Sequence, residues 1–114
     1  MARILVVEDD AAQLEMRRQI LEHAGHEVIA AQDAEEALER WAEAPEPPPI
    51  VVMDLRIPGP EDGLRLIRAI DGKARIIVLS GGPADPTLPV DEFLRKPCPS
   101  RRLLESIAKW ATSA

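Results

Sequence analysis

The stretch Ile50-Val51-Val52-Met53-Asp54 is short, apolar and rich in β-branched side chains, and it ends abruptly on an acid. Such a run reads as a strand buried on both faces of a parallel sheet. Three more runs share the pattern. Ile4-Leu5-Val6-Val7 runs into Glu8 and Asp9, Ile76-Ile77-Val78-Leu79 into Ser80, and Glu92-Phe93-Leu94-Arg95 into Lys96. Parallel strands bring their carboxyl ends to one edge, where open α/β sheets bind ligands. That edge would gather three carboxylates, a hydroxyl and an ammonium, the donor set of a magnesium-assisted phosphate site.

Helical patterning fills the spaces between the runs. One segment extends from about Ala11 to Ala24, with Met16, Ile20, Leu21 and Ala24 as its inward stripe and Gly25 placed to end it. Glu27 to Ala31 reads as a short second strand. Asp33 caps the next helix, Glu36 completes a capping box, and Ala34, Ala37, Leu38 and Trp41 form the apolar face. Four prolines between Glu43 and Pro49 make that segment a surface linker. A third helix is expected over Leu64 to Ile70, with Leu64, Leu66, Ile67 and Ile70 facing in. The last begins near Ser100 and turns Leu103, Leu104, Ile107 and Ala111 inward. This alternation predicts an α/β domain with a five-stranded parallel sheet and right-handed crossovers. The connection from Gly81 to Pro89 breaks the rhythm. Its prolines at 83, 86 and 89 leave no room for a regular helix.

Bulk properties narrow the function. The chain has 114 residues, 46% hydrophobic and 30% charged, which fits one globular domain over 1–114. A net charge of −6 argues against a nucleic-acid surface. The one cysteine, Cys98, precludes an intrachain disulfide and fits a reducing compartment. No signal peptide or membrane-length apolar run is evident, so a cytoplasmic location is expected. His23 and His26 lack a third metal ligand, the two tryptophans read as helix anchors, and Cys98 has no evident redox partner.

Together the four strand ends resemble the receiver domain of two-component response regulators, in particular single-domain, chemotaxis-regulator-like members with a degenerate fourth helix. The resemblance spans the chain and rests on Val6-Val7-Glu8-Asp9, Met53-Asp54-Leu55-Arg56-Ile57-Pro58-Gly59, Leu79-Ser80-Gly81 and Phe93-Leu94-Arg95-Lys96-Pro97. It implies a flavodoxin-like, doubly wound sheet of order 2-1-3-4-5, the fourth helix being missing or reduced to a loop. It further implies that Asp54 accepts a phosphoryl group from a histidine kinase or histidine phosphotransfer protein. Mg²⁺ would be held by Glu8, Asp9, Asp54 and the main-chain carbonyl of Arg56. Ser80 and Lys96 would bind phosphate oxygens, and Ser80 with Phe93 would form the switch. Such a module is not an enzyme beyond its own phosphorylation and dephosphorylation. Its output would be contact with another protein, not with nucleic acid or membrane.

Two departures from the family pattern carry expectations. The loop Gly59-Pro60-Glu61-Asp62-Gly63 is one residue longer than usual, which predicts a slight bulge beside an intact site. Phe93 lacks a phenol, so its ring cannot report the state through a hydrogen bond. The alternative is a pseudo-receiver that binds a partner without phosphorylation. An independent aspartyl phosphohydrolase of the haloacid dehalogenase type would want a second acid where Arg56 stands. A partner kinase is expected against the first helix and the loop after Lys96, with Leu14 as a candidate contact.

Overall fold

Each apolar run becomes a strand, and the intervening amphipathic segments become helices stacked on the two sides of the sheet. In the computed structural model, which describes residues 2–111, the order is β1 (Arg3–Val7), α1 (Ala11–His23), β2 (Glu27–Ala31), α2 (Ala34–Glu43), β3 (Ile50–Met53), α3 (Asp62–Ile70), β4 (Arg75–Ser80), β5 (Glu92–Arg95) and α4 (Ser100–Ala111). All strands are parallel, in the order β2-β1-β3-β4-β5. The register aligns Val7 with both Ala31 and Met53, Met53 with Val78, and Ser80 with Arg95. Glu8, Asp54, Ser80 and Lys96 therefore arrive at one edge. The strand order reverses between β1 and β3, which opens a crevice at that point.

Alternation along each strand divides the core. Leu5, Val7, Val51, Met53, Ile76 and Val78 pack with α2 and α3, while Ile4, Val6, Ile50, Val52, Ile77 and Leu79 pack with α1 and α4. Because both faces are covered, the central strands β1, β3 and β4 are apolar along nearly their whole length instead of alternating with polar residues.

Caps explain the helix ends. Asp10 accepts from Gln13 N–H at 3.0 Å and starts α1; Gly25, at φ +96°, ends it, with His26 N–H returning to the Leu21 carbonyl. Asp33 accepts from Glu36 N–H at 2.7 Å, and Glu36 reaches back to Gln32 N–H, one residue ahead of the expected cap. The inward stripe of α1 differs from the expected one. Leu14, Arg17 and Leu21 are buried, whereas Ala24 is exposed and Met16 is 53% exposed. The helix is rotated because the Arg17 head group finds a buried carboxylate beneath it. In α3, Leu66, Ile67 and Ile70 are buried and Leu64 is half-buried; the helix starts earlier, at Asp62. In α4, Ser106 is buried in place of Leu104 because its hydroxyl donates to Glu92 at 2.6 Å.

No helix occurs between β4 and β5. Asp85 instead nucleates a turn by accepting from Thr87 N–H and Oγ1, and the Asp91 carboxylate pins the segment to Ile76 N–H at 2.8 Å.

Candidate phosphoacceptor site

The centre of the site is an ion-paired chain of side chains. Lys96, just beyond β5, donates from Nζ to Asp54 Oδ2 at 2.6 Å and to Glu8 Oε1 at 3.3 Å. Glu8 Oε1 also receives Arg17 Nη1 at 2.5 Å, and Glu8 Oε2 accepts from Asp10 N–H at 3.0 Å. Arg17 is braced in turn by Gln13 Oε1 at 3.1 Å. Burial by itself would raise the Glu8 carboxyl, but the donors around it, led by Asp10 N–H and Arg17, bring it down to about 2. Burial likewise opposes the Lys96 ammonium, and the Asp54 and Glu8 carboxylates overcome it, so its pKa is raised.

Beside this chain lies an open cleft of about 580 Å³, lined by Asp9, Asp54, Arg56, Ser80 and the Gly81–Gly82 turn, among others. Asp54 Oδ1 accepts weakly from Arg56 N–H at 3.3 Å, which sets the turn carrying the Arg56 carbonyl. Ser80 Oγ accepts from Gly82 N–H at 3.2 Å. Asp9 is exposed at the rim, and its carboxyl is raised by Glu8 first, then by partial burial and the negative charge of Asp54. Arg17 and Lys96 pair with Glu8 and Asp54, while Asp9 lines the open cleft in no such ion pair, and the exposed Arg56 stands on the same cleft.

The longer loop after Asp54 closes on itself. Asp62 Oδ2 accepts from Gly59 N–H at 2.7 Å, and Gly63 N–H donates to the Leu55 carbonyl at 2.9 Å. A Cβ on Gly63 would lie 2.5 Å from that carbonyl oxygen, so only glycine allows α3 to abut the loop. Asp62 and Gly63, expected as a turn, form the first two residues of α3.

Of the expected site residues, Asp54, Lys96 and Glu8 are linked directly, and Asp9, Asp54, Arg56 and Ser80 share the cleft. Glu8 stands apart from the expected metal-ligand set. It is 1% exposed, does not line the cleft, and its oxygens are occupied by Arg17, Lys96 and Asp10 N–H. Among the described residues, no three His, Cys, Asp or Glu side chains converge as a metal-holding cluster. The donor set that does face the cleft still suits Mg²⁺, which takes one or two carboxylates and completes its octahedron with carbonyl oxygen and water. Phe93 is half-buried at the sheet edge, against the core shared with α2 and α3.

Two residues at the site escape the sequence reading. Arg17 occupies a core position between Leu14 and Leu21; a cation three residues after one core leucine and four before another was the available signal. Met16 is the other. It lines an apolar cleft of about 430 Å³ between α1 and the segment after Lys96, with Ile20, Cys98 and Leu103. Leu14, expected as a contact there, is buried. The remaining candidates are structural. His26 Nδ1 accepts from Ala2 N–H at 3.1 Å, and burial raises the Cys98 thiol pKa, keeping it protonated.

Comparison with known proteins places this geometry. The family model described as response regulator receiver domain matches residues 4–108. The chemotaxis protein CheY of Bacillus subtilis is 34% identical, over 94% of this chain and 95% of its own length. The C4-dicarboxylate transport transcriptional regulatory protein DctD of Pseudomonas aeruginosa is 32% identical, but this chain covers only 24% of it. Among solved structures, a CheY-like receiver domain protein from Methanospirillum hungatei superposes with a TM-score of 0.85 at 28% identity, covering 100% of this chain and 99% of that one. The chain belongs to the response regulator receiver domains of two-component signalling. Acceptance of a phosphoryl group, with Mg²⁺ at the site, is general to that family. No helix among the described residues is long and apolar enough to cross a membrane.

Proposed function

We propose that residues 1–114 act as one receiver domain that takes a phosphoryl group from a phosphohistidine onto Asp54 and signals by protein contact. The observation that carries this reading is the Lys96 ammonium 2.6 Å from Asp54, with Ser80 and Asp9 on the same open cleft. An Asp54 oxygen attacks phosphorus, the phosphorus–nitrogen bond breaks, and the histidine imidazole leaves with the electron pair and takes up a proton. Lys96 moves from the Asp54 carboxylate to a phosphate oxygen. Ser80 turns its hydroxyl from Gly82 N–H to a second phosphate oxygen, and Phe93 follows as the switch aromatic. Asp9, Asp54 and the Arg56 carbonyl would hold Mg²⁺, which would supply charge neutralisation for the transferring phosphoryl group. The chain performs no chemistry on other molecules in this reading.

The donor, a histidine kinase or histidine phosphotransfer protein, docks over the cleft of Met16, Ile20 and Leu103, beside Lys96. The output partner is a protein, and neither nucleic acid nor membrane is engaged by this domain. A cytoplasmic location suits the unpaired Cys98 and a kinase-borne donor. The test is intact mass after incubation with Mg²⁺ and acetyl phosphate. A phosphate-sized gain is expected in wild type and none in Asp54→Asn, with both folded; labelling retained at another residue sinks the assignment.

One observation favours a second reading, the pseudo-receiver. Glu8 is already neutralised by Arg17, which weakens the acidic cluster. Absence of any Mg²⁺ affinity, together with absence of labelling, would select it.

A further inference from the structure

Arg17 is a cation where α1 should present an aliphatic side chain. Its side chain is 10% exposed and that of its partner Glu8 is 2% exposed, and the pair reaches Asp54 only through the Lys96 ammonium. A buried ion pair contributes little net stability over an apolar pair of similar volume. The same Glu8 oxygen that receives Arg17 at 2.5 Å also receives Lys96 at 3.3 Å, and Lys96 holds Asp54 at 2.6 Å. Two cations therefore divide one carboxylate oxygen, and the shorter contact belongs to Arg17.

We propose that Arg17 is a positioning residue that binds Glu8 as a fixed counter-ion, withholds it from the metal, and loosens its grip on Lys96. This rests on the phosphoacceptor reading above and names a control built into that site. Two consequences follow. With Glu8 engaged from beneath, Asp9 and Asp54 are the carboxylates left on the cleft among the described residues, so the site is tuned toward weak binding. With most of the Glu8 charge committed to Arg17, Lys96 is free to exchange Asp54 for a phosphate oxygen. If Arg17 were apolar, Glu8 would pair fully with Lys96 or turn to the metal. Removing Arg17 should thus strengthen Mg²⁺ binding and slow phosphoryl transfer. Damage to the fold would weaken both.

The experiment compares wild type, Arg17→Met, Arg17→Lys and Glu8→Gln. Mg²⁺ affinity is read by titration calorimetry without phosphodonor, and labelling by acetyl phosphate is timed at saturating Mg²⁺. Arg17→Met should bind Mg²⁺ about tenfold tighter and label about tenfold more slowly, in the range that partners of metal-site residues command. Arg17→Lys keeps the charge and should stay within about threefold of wild type in both readouts. Glu8→Gln, which keeps a hydrogen-bonding partner for Arg17, should change Mg²⁺ affinity by less than about threefold, because its charge is not offered to the ion. Unchanged or weaker Mg²⁺ binding in Arg17→Met overturns the proposal. So does a loss of tenfold or more in Glu8→Gln. If Arg17→Met does not fold, Glu8→Gln decides alone. If wild type is never labelled but the Mg²⁺ pattern holds, the phosphoacceptor reading fails and the Arg17 assignment stands.

Discussion

Glu8 and Glu92 invite comparison, because the fold treats the two carboxyls alike and uses them differently. Burial would raise each, and hydrogen bonds hold each down to about 2. Glu92, on the edge strand β5, takes Arg102 at 2.6 Å, Ser106 at 2.6 Å and Trp110 Nε1 at 2.8 Å, all from α4. One carboxylate meets one cation there, and α4 is clamped to the sheet. At Glu8 the bonds spread from 2.5 to 3.3 Å and do not close. Lys96 is shared with Asp54, and Asp9 stands at the rim with its carboxyl raised by its neighbours. A balanced cluster holds a helix in place. An unbalanced one, opening on a cleft, is what the proposed function requires for taking up a cation and releasing the Lys96 ammonium.

The largest effect should come from breaking the unbalanced cluster. Lys96→Ala should slow labelling by acetyl phosphate about a hundredfold or more, since it removes the cation that meets the developing charge. Its unfolding midpoint in urea should move little, because Glu8 retains Arg17. If Lys96→Ala instead costs as much stability as a Glu92 variant and labels normally, the two clusters are the same kind of object.

The balanced cluster should fail in the opposite way. Glu92→Ala should cost about 2 to 3 kcal/mol at neutral pH, while labelling stays within about twofold of wild type. The pH dependence has a defined sign. The folded-state pKa of Glu92, about 2, lies below its ordinary value of 4.5, so its contribution is complete above the ordinary value and is lost as pH falls toward about 2. Urea unfolding of wild type and Glu92→Gln should therefore converge across that window. A gap between them that persists below it would mean that shape and not charge holds α4.

Much of this contrast was legible in the sequence and part was not. The three central strands follow from short β-branched runs, whose identity depends on burial on both faces and on little else; the edge strands β2 and β5 are only partly buried, and β5 has no β-branched residue. The site edge follows from parallel direction, which delivers Glu8, Asp54, Ser80 and Lys96 together. The helix-free link from β4 to β5 was legible because its prolines act locally. The phase of α1 was not legible. Met16 and Ile20 suit an inward stripe as well as Leu14 and Leu21 do, and only a carboxylate across the interface justifies burying Arg17. Ser106 in α4 is the same case, since Glu92 supplies the reason for its burial. Polar groups are buried when they have partners, and partners are a property of the tertiary structure.

Asp9 gives the smallest effect and the sharpest division between the clusters. Its folded-state pKa is raised above the ordinary 3.8, so the folded protein holds that proton more tightly and ionised Asp9 opposes folding at neutral pH. Asp9→Asn should then stabilise the metal-free protein. Because Asp9 is exposed, water screens the repulsion, and the gain should be about 0.5 kcal/mol. Millimolar Mg²⁺ should reverse the order, raising the wild-type midpoint by mass action and leaving Asp9→Asn unmoved. Thermal unfolding of both proteins with and without Mg²⁺ contains the whole test. A residue kept for the fold, as Glu92 is, cannot produce that crossing. If Asp9→Asn is less stable than wild type without metal, Asp9 belongs with the balanced cluster, and the surplus charge at the cleft is not what the site uses.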